Sequence, residues 1–293
     1  MPEGDTIHLA AQRLRRALCG ERIVQASAPA ARLPSLLRIG SLVGRRCLDV
    51  KARGKHLLIE FEGDVLLHSH LRMSGRWVVR PRTPPPDVTE SDRADPAAGA
   101  KTTTAARRHA TRRGQPWLHL VTERHEVFQY GGPLLELRTR AATRLEPLLA
   151  GLGPDLLAAD FDAQAAAIRL RALDARLTIA DALLEQRAVS GIGNIWRSEA
   201  CFAAGIDPFR RLADTEPEDL QRLLLTAREL MLRAVANGST RPRPANVYGR
   251  AHQPCRRCGT PIRARRTGEQ ARTLYWCPYC QGETRDKGEG ADT

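Results

Sequence analysis

The chain has 293 residues, a hydrophobic fraction of 42%, a formal net charge of +13 and a sequence pI near 10.2. This hydrophobic content excludes wholesale disorder, and the length allows two domains. No run approaches the ~20 apolar residues that a membrane-spanning helix needs, and charged side chains interrupt the N-terminal region where a signal peptide would be apolar. We therefore expect a cytosolic protein that binds a polyanion, with nucleic acid favoured over a membrane. Arginine-rich codon usage would explain the charge equally well.

The N-terminal half is predicted to be mainly β-structure. Apolar residues from Ile7 to Leu18 recur at helical spacing and predict an amphipathic helix over 6–18. The pattern then changes to short strands, predicted at 21–26, 41–50, 56–61, 65–70, 117–122 and 126–130. Gly63-Asp64 predicts a tight turn, whereas the Pro-rich residues 81–116 show no periodicity and predict a mobile insertion. We expect a β-sandwich domain over 2–150.

The C-terminal half changes to a helical pattern after Gly151. Helices are predicted at 162–173, 178–186, 195–204 and 217–235. These elements indicate a helical domain over 151–245. A polar, proline-containing linker is predicted at 237–250, leading into the cysteine cluster. A cysteine-rich module over 246–282 and a disordered charged tail over 283–293 are expected to follow. The fold class is therefore α+β multidomain.

Four of the seven cysteines form two closely spaced pairs, Cys255-x2-Cys258 and Cys277-x2-Cys280. Two such pairs can complete a tetrahedral four-thiolate zinc site. A redox pair or two disulfides are the alternatives, which a cytosolic chain disfavours. All four positions of the metal are filled by thiolates, so we expect one structural Zn²⁺ per chain and no metal catalysis. Residues 250–282 carry seven arginines against one acid, Glu269, which favours contact between this module and DNA.

Pro2 is a candidate nucleophile. Removal of Met1 would leave a secondary amine, and N-terminal amines have a reference pKa of about 7.7–8, so a useful neutral fraction exists near pH 7. Such an amine can attack an electrophilic carbon and form an iminium. Glu3 follows directly and can donate or accept the proton.

The segment Gly191-Ile192-Gly193-Asn194 predicts a turn between two helices, with Asn194 as the N-cap of the second helix. Open N–H groups and the positive end of a helix dipole at such a turn suit a phosphate. A capped helix hairpin without a ligand is the commoner explanation of this pattern.

Several motifs occur together and in one order. They are Met1-Pro2-Glu3-Gly4-Asp5, Arg53-Gly54-Lys55-His56, His70-Leu71-Arg72-Met73-Ser74-Gly75, Gly191-Ile192-Gly193-Asn194 and Val247-Tyr248-Gly249-Arg250. With the four cysteines, this set resembles the formamidopyrimidine-DNA glycosylase/endonuclease VIII family from residue 2 to about 282. The resemblance implies a β-sandwich, a helix–two-turn–helix domain and a zinc finger, with damaged DNA between the halves. It also implies a monomer in the bacterial cytosol.

The resemblance further implies an activity and its residues. Oxidised bases would be removed and the strand cleaved at the abasic site by β,δ-elimination. Pro2 would attack the sugar C1′, Glu3 would donate a proton near the ring oxygen, and Lys55 would reach the phosphate and sugar. The residues implied to contact DNA are Asn194 and Arg272, at the phosphates beside an everted nucleotide, and Met73, inserted into the vacated stack. A core methionine on a strand is an equal alternative for Met73.

The sequence departs from the family pattern in ways that bear on the substrate. Position 6 is Thr where many members have Glu, and the insertion at 81–116 and the hairpin at 131–135 are unusual. The purine-lesion branch carries an Asn/Asp-Pro-Arg-Arg-Phe-Gly hairpin whose Arg contacts the orphaned cytosine. The corresponding stretch here is 130–136, in which Leu134 and Leu135 cannot donate hydrogen bonds to a base. We therefore predict a preference for oxidised pyrimidines. The alternative is excision of 8-oxoguanine or formamidopyrimidine, with a reading residue supplied from 81–116.

Two other classes of function remain open at this point. A non-catalytic zinc-ribbon protein that binds DNA would keep the cysteine cluster but would not need Pro2, Glu3 or Lys55. An RNA-binding factor is disfavoured because no stacking aromatics cluster with the basic residues in the sequence, where aromatic residues make up only 4%.

Overall fold

A computed structural model describes residues 2–29, 38–83, 114–238, 245–268 and 270–282. The core of the predicted insertion, residues 84–113, and the predicted tail over 283–293 lie outside these described residues. Among the helices that are described, none combines the length and the apolar character that crossing a membrane requires.

The chain divides into two compact units. One unit comprises Met1–Leu9, Lys51–Leu57 and Ala141–Thr293, and the other comprises Ala10–Val50 and Leu58–Arg140. We call them the discontinuous unit and the sheet unit. In chain order the helices are α1 Gly4–Leu18, α2 Arg140–Arg144, α3 Pro147–Ala150, α4 Ala163–Arg171, α5 Ile179–Ala182, α6 Asn194–Ala204 and α7 Pro217–Ala236. The strands are β1 Gln25–Ser27, β2 Cys47–Arg53, β3 His56–Phe61, β4 Val65–His70, β5 Arg76–Pro81, β6 Leu118–Val121, β7 His125–Tyr130, β8 Leu134–Thr139, β9 Arg263–Thr267 and β10 Arg272–Trp276.

Two four-stranded sheets form the N-terminal half, with strand orders β1-β6-β7-β5 and β2-β3-β4-β8. In β7, Val127 and Gln129 are buried while their neighbours are half-exposed, which is the two-residue alternation of a sheet with one covered face. The predicted turn at Gly63-Asp64 is confirmed by positive φ angles of 77° and 59°. The predicted N-terminal β-structure is therefore confirmed.

Two predictions for the sheet unit were wrong. The strand expected at 41–50 is a 3-10 helix, Ile39–Leu42, followed by β2, because the chain turns at Gly44 with φ of 83°. The expected hairpin at 131–135 is absent, because β7 and β8, on either side of Gly131–Pro133, belong to different sheets. Positive φ angles at Gly131 and Gly132 allow this crossing from one sheet to the other.

The helices of the discontinuous unit pack around one apolar core. Trp196, Leu223, Leu224 and Met231 are almost completely buried in it. The four predicted helices all exist, although the second, expected at 178–186, is only the short helix α5. This helix ends early because Leu184 N–H donates to the carbonyl of Asp181, three residues before it, and not to the carbonyl four residues before it. The hairpin β9–β10 follows, with Arg272 opposite Thr267 and Trp276 opposite Arg263.

The segment before this hairpin is more ordered than the predicted polar linker at 237–250. The backbone N–H groups of Asn246, Val247 and Tyr248 all donate to the carboxylate of the buried Glu199 on α6. Residues 239–244 lie outside the described part of the chain. A buried carboxylate with several N–H donors is well satisfied, and here it fixes the entry into the cysteine-rich module.

Candidate active site

Glu3 caps a helix that lies far away in the sequence. Its carboxylate is 1% exposed and accepts hydrogen bonds from Ile195 N–H at 2.9 Å and Trp196 N–H at 3.2 Å. These N–H groups belong to the first turn of α6 and have no partner within the helix. The carboxylate therefore satisfies two otherwise unpaired donors and lies at the positive end of the helix dipole.

This arrangement corrects the prediction that Asn194 is the N-cap. The cap residue is Gly193, with an extended backbone, and Asn194 is the first residue of the helix. Asn194 instead uses its Nδ2 to donate to the Thr273 carbonyl at 2.9 Å. The capping oxygen that the sequence assigned to Asn194 therefore comes from Glu3, which lies 192 positions before Ile195.

Glycines let the N-terminal segment approach the turn before α6. Gly4 N–H donates to the Gly191 carbonyl at 2.8 Å, and a Cβ on Gly4 would lie only 2.9 Å from the Gly191 Cα. A Cβ on Gly193 would lie 2.4 Å from the Glu3 Cδ. Such distances are far below van der Waals contact, so both positions require glycine. Pro2, directly before Glu3, is half-exposed.

Lys55 lies in the tight turn between β2 and β3, and a buried carboxylate fixes that turn. Asp155 Oδ2 accepts from Gly54 N–H at 2.8 Å and contacts His8 Nε2 at 2.9 Å. Asp155 Oδ1 accepts from Leu157 N–H at 2.8 Å. Asp155 thus joins helix α1, the residue before Lys55 and the segment that leads into α4.

The charges at this site perturb one another. Burial raises the pKa of Glu3, although Lys55 and the N–H groups of Ile195 and Trp196 oppose the rise. Burial lowers the pKa of Lys55 to about 8, against the attraction of Glu3 and with a further lowering by Arg272. A carboxyl that keeps its proton to higher pH and a cationic amine whose pKa is lowered toward neutrality are suited to proton transfer.

A second buried carboxyl adjoins Glu3. Asp5 is 0% exposed, and burial together with the neighbouring Glu3 raises its pKa to about 7. Two carboxyl groups so close in a desolvated environment cannot both ionise easily. The segment that contains Pro2 is therefore followed by two acids whose proton affinities are raised.

Arg272 begins strand β10 and is half-buried. Its positive charge contributes to the lowered pKa of Lys55. Its backbone carbonyl accepts from Arg197 at 3.1 Å, and the next carbonyl, of Thr273, accepts from Asn194. Glu3, Lys55, Asn194 and Arg272, which the sequence predicted as site residues, therefore come together in the discontinuous unit.

The four cysteines predicted as metal ligands also come together. Their sulfur atoms all lie within 4.8 Å of one another, with Sγ–Sγ distances of 3.9 Å for Cys255–Cys280 and 3.5 Å for Cys258–Cys277. A tetrahedral zinc site with bonds of about 2.3 Å has sulfur–sulfur edges of about 3.8 Å. The four thiol groups therefore fit a metal ion with no position left for a further ligand.

Met73 belongs to the sheet unit, in the turn between β4 and β5, and its side chain is 68% exposed. The alternative of a core methionine is therefore wrong. Leu135 is completely buried in β8 opposite Ser69, whereas Leu134, opposite His70, is half-buried. Of the two leucines, only Leu134 retains surface with which to fill space.

Sequence reasoning missed several residues that support the site. The Asp155 contact with His8 joins residues 147 positions apart, and Arg197 contacts Arg272 across 75 positions. Such pairs leave no local pattern. One signal was present: Arg197 is a charged residue on the same helical stripe as apolar core residues, which indicates a buried charge with a specific partner.

The comparisons with known proteins cover nearly the whole chain. The family model described as the formamidopyrimidine-DNA glycosylase N-terminal domain matches residues 1–115, and the H2TH domain of that enzyme matches residues 152–243. A protein named probable endonuclease 8 2 from Streptomyces coelicolor is 36% identical, covering 96% of this chain and 94% of its own. The DNA-(apurinic or apyrimidinic site) lyase Nei2 of Mycolicibacterium smegmatis is 34% identical, covering 96% and 99%.

A solved structure shares the fold. The Lactococcus lactis formamidopyrimidine-DNA glycosylase, bound non-covalently to DNA containing an abasic site, superposes with a TM-score of 0.75 at 23% identity. The match covers 95% of this chain and 99% of that one. The predicted combination of N-terminal sheets, a helix–two-turn–helix domain and a four-cysteine cluster is thereby confirmed.

Proposed function

The chain belongs to the formamidopyrimidine-DNA glycosylase/endonuclease VIII family of bifunctional DNA repair enzymes, and from that premise we propose how its own residues carry out the reaction. It removes an oxidised base from DNA and cleaves the strand at the resulting abasic site. Pro2 is the nucleophile, Glu3 the proton donor and Lys55 the cation at the reacting sugar and its phosphate. The enzyme acts as a monomer on damaged DNA in the bacterial cytosol.

The proposed chemistry follows from one amine. The Pro2 nitrogen attacks C1′ with its lone pair and the bond from C1′ to the base breaks. The departing base anion takes up the proton that the Pro2 nitrogen loses. Glu3 protonates the ring oxygen as the sugar opens, which leaves an iminium between Pro2 and C1′. The iminium acidifies the C2′ proton, whose loss expels the 3′ phosphate, and a second elimination expels the 5′ phosphate. Water then releases the sugar fragment from Pro2.

The observation that carries this proposal is the state of Glu3. The carboxyl adjoins Pro2 in the chain, is buried and has a raised pKa, so it keeps a proton to higher pH than an exposed glutamate. The hydrogen bonds from Ile195 and Trp196 fix the orientation of the Glu3 carboxyl group. Proton transfer therefore does not require this group to move. The nearby Lys55, whose pKa is about 8, supplies a charge that stabilises the anion formed after proton donation.

The DNA contacts are proposed on chemical grounds. Arg272 and the second hydrogen of the Asn194 amide are donors suited to phosphate. The exposed thioether of Met73 is suited to insertion between bases, which offsets part of the few kcal/mol needed to evert a nucleotide. The ion held by Cys255, Cys258, Cys277 and Cys280 is zinc, and it stabilises the hairpin that carries Arg272.

We propose oxidised pyrimidines, such as thymine glycol and dihydrouracil, as the preferred substrates. Neither Leu134 nor the buried Leu135 can donate a hydrogen bond to an orphaned cytosine. Loss of such a base contact typically forfeits ~1–3 kcal/mol of discrimination. The second candidate, excision of 8-oxoguanine or formamidopyrimidine, draws its support from relatives of that name, including one from Variovorax paradoxus that is 34% identical over 89% of this chain and 94% of its own.

Borohydride trapping on abasic-site DNA tests the nucleophile. The wild-type protein should form a covalent adduct, and Pro2→Gly should nearly abolish it while DNA binding stays close to wild type. Retention of Met1 should have the same effect. An undiminished adduct both in Pro2→Gly and in the protein that retains Met1 would assign the chemistry to another amine such as Lys55. A wild-type protein that binds DNA without any adduct would instead be the non-catalytic binder.

Single-turnover rates on matched duplexes test the substrate. We expect faster release of thymine glycol and dihydrouracil than of 8-oxoguanine, with little dependence on the opposite base. Faster release of 8-oxoguanine, strongly dependent on an opposite cytosine, would reverse the assignment without affecting the trapping result.

A further inference from the structure

Arg197 on α6 is completely buried and has no role in the proposed chemistry. The Arg197 side chain is 0% exposed and forms an ion pair at 3.3 Å with Asp181 on α5, whose side chain is 21% exposed. Burial lowers the pKa of Arg197, although the attraction of Asp181 opposes the shift. The attraction within a buried ion pair offsets the cost of desolvating its charges only where the geometry is good and the hydrogen bonds are satisfied. A buried ion pair of this kind is therefore weak support for a role in stability alone.

The second contact of Arg197 points to another role. Its Nη2 donates to the carbonyl of Arg272, at 3.1 Å, where strand β10 begins. One turn earlier on α6, Asn194 donates to the carbonyl of Thr273. Residues three apart on a helix share a face, so these two side chains hold two consecutive carbonyls of one strand.

Asp181 completes the connection from the other side. Its carboxylate accepts from Thr178 Oγ1 at 2.9 Å, which fixes it at the start of α5. It also lies beside the turn of the hairpin, since a Cβ on Gly268 would be 3.0 Å from Asp181 Oδ1. The Asp181–Arg197 pair therefore lies beside the turn between β9 and β10 and hydrogen-bonds to the first residue of β10.

We propose that Arg197, oriented by Asp181, is a positioning residue that sets the backbone of Arg272 and so directs its guanidinium to a DNA phosphate. This inference rests on the proposed role of Arg272 in phosphate binding. Arg197 never touches DNA, because it is fully buried. Its carbonyl contact fixes the strand end from which the Arg272 side chain extends. In the absence of DNA the Arg272 guanidinium donates from Nη2 to the Gln270 side chain in the same hairpin turn.

Binding to a duplex with a non-cleavable abasic analogue, measured by anisotropy over a range of salt concentrations, tests this proposal. Each phosphate contact contributes about 0.9 to the slope of log K against log salt for duplex DNA. Arg272→Met should lower that slope by about 0.9. Arg197→Met should lower it by a similar amount, although Arg197 itself is buried. The double variant should lose no more than either single variant.

Arg228→Met is the matched control. Arg228 also donates to a distant backbone carbonyl, that of Leu156, and lies over the Phe161 ring at 5.4 Å. Within the described part of the chain, no hydrogen bond, ion pair or ring contact joins Arg228 to the β9–β10 hairpin. Its replacement should leave the salt slope unchanged, so a general weakening of the unit is separated from loss of the Arg272 contact.

An unchanged slope in folded Arg197→Met would overturn the proposal, and so would losses in Arg197→Met and Arg272→Met that add in the double variant. Should Arg197→Met fail to fold, Asp181→Asn is measured instead, since it removes the orienting charge at a partly exposed position and should reproduce the loss. An unchanged slope in Arg272→Met would remove what Arg197 positions and also overturns the inference. The borohydride adduct of the wild-type protein reports separately on the proposed function.

Discussion

Replacing Glu3 should separate its role in folding from its role in chemistry. In Glu3→Ala, the N–H groups of Ile195 and Trp196 lose their buried acceptor. Each unsatisfied buried donor costs about 1–3 kcal/mol, so the free energy of unfolding should fall by about 2–6 kcal/mol. In Glu3→Gln, the amide oxygen keeps one bond and the amide nitrogen faces the other donor, so about 1–3 kcal/mol should be lost. Neither variant buries a charged carboxylate, and the absence of this desolvation cost reduces both losses of stability.

Catalysis should respond differently from stability. Both variants lack the proton donor, and loss of general acid catalysis typically costs a factor of about 10²–10⁴. Base release should therefore slow to a similar extent in Glu3→Gln and Glu3→Ala, although their stabilities differ. Urea unfolding and single-turnover base release, on the same preparations, give the two quantities.

A surface cap provides the matched control. Asp162 Oδ1 accepts from Gln164 N–H at 2.8 Å and Ala165 N–H at 3.0 Å, at the exposed start of α4. Water can replace this carboxylate, so Asp162→Ala should cost about 1 kcal/mol and leave base release unchanged. If Glu3→Ala lost no more stability than Asp162→Ala, the buried cap would not support α6 as described, and the reasoning would be refuted.

Three further predictions concern the surroundings of this site. Gly193→Ala should displace the Glu3 carboxylate and abolish base release, because the new Cβ would be 2.4 Å from Glu3 Cδ, whereas Gly40→Ala, with nothing within 4 Å, should be neutral in the same assay. The pKa of Lys55 is about 8 in the folded protein, whereas its ordinary value, expected in the unfolded chain, is 10.5. Unfolding therefore takes up a proton between these pH values, and the free energy of unfolding should rise with pH across that window. Lys55→Met should lose that rise in urea unfolding at pH 7 and 9.5; an identical rise in the variant would contradict the assignment. Cys277→Ser should lose zinc, measured by atomic absorption, together with DNA affinity; full affinity without metal would show that the ion does not support the hairpin.

The sequence predicted the parts of this fold that leave a local signal. Short strand-like runs separated by glycine or charged residues located β3, β4 and β7, and the paired cysteines predicted a cluster whose sulfur atoms do lie together. The site residues Glu3, Lys55, Asn194 and Arg272 were identified through motifs that span the chain, and the structure brings them into one unit.

What the sequence could not predict depends on contacts between distant segments. A glycine before a helix leaves the identity of the cap open, so Asn194 was assigned a role that Glu3 fills. Gly131-Gly132-Pro133 is as suitable for a crossing between sheets as for a hairpin, and only strand pairing distinguishes the two. The stacking of Phe128 on His119, with Arg80 over the Phe128 ring at 5.3 Å, likewise clusters aromatic and basic side chains that are scattered in the sequence.

The contact between Glu3 and α6 also sets an order of events during synthesis. Ribosomes add about 5–20 residues per second, so roughly 10–40 s pass between the emergence of Glu3 and that of Ile195, which lies 192 positions later. Throughout this interval the start of the chain has no helix against which to dock. The removal of Met1 that the proposed mechanism requires therefore falls in a period when processing enzymes have free access. Once α6 has been made, the same hydrogen bonds that orient the acid hold the following segment of α1 against the folded unit.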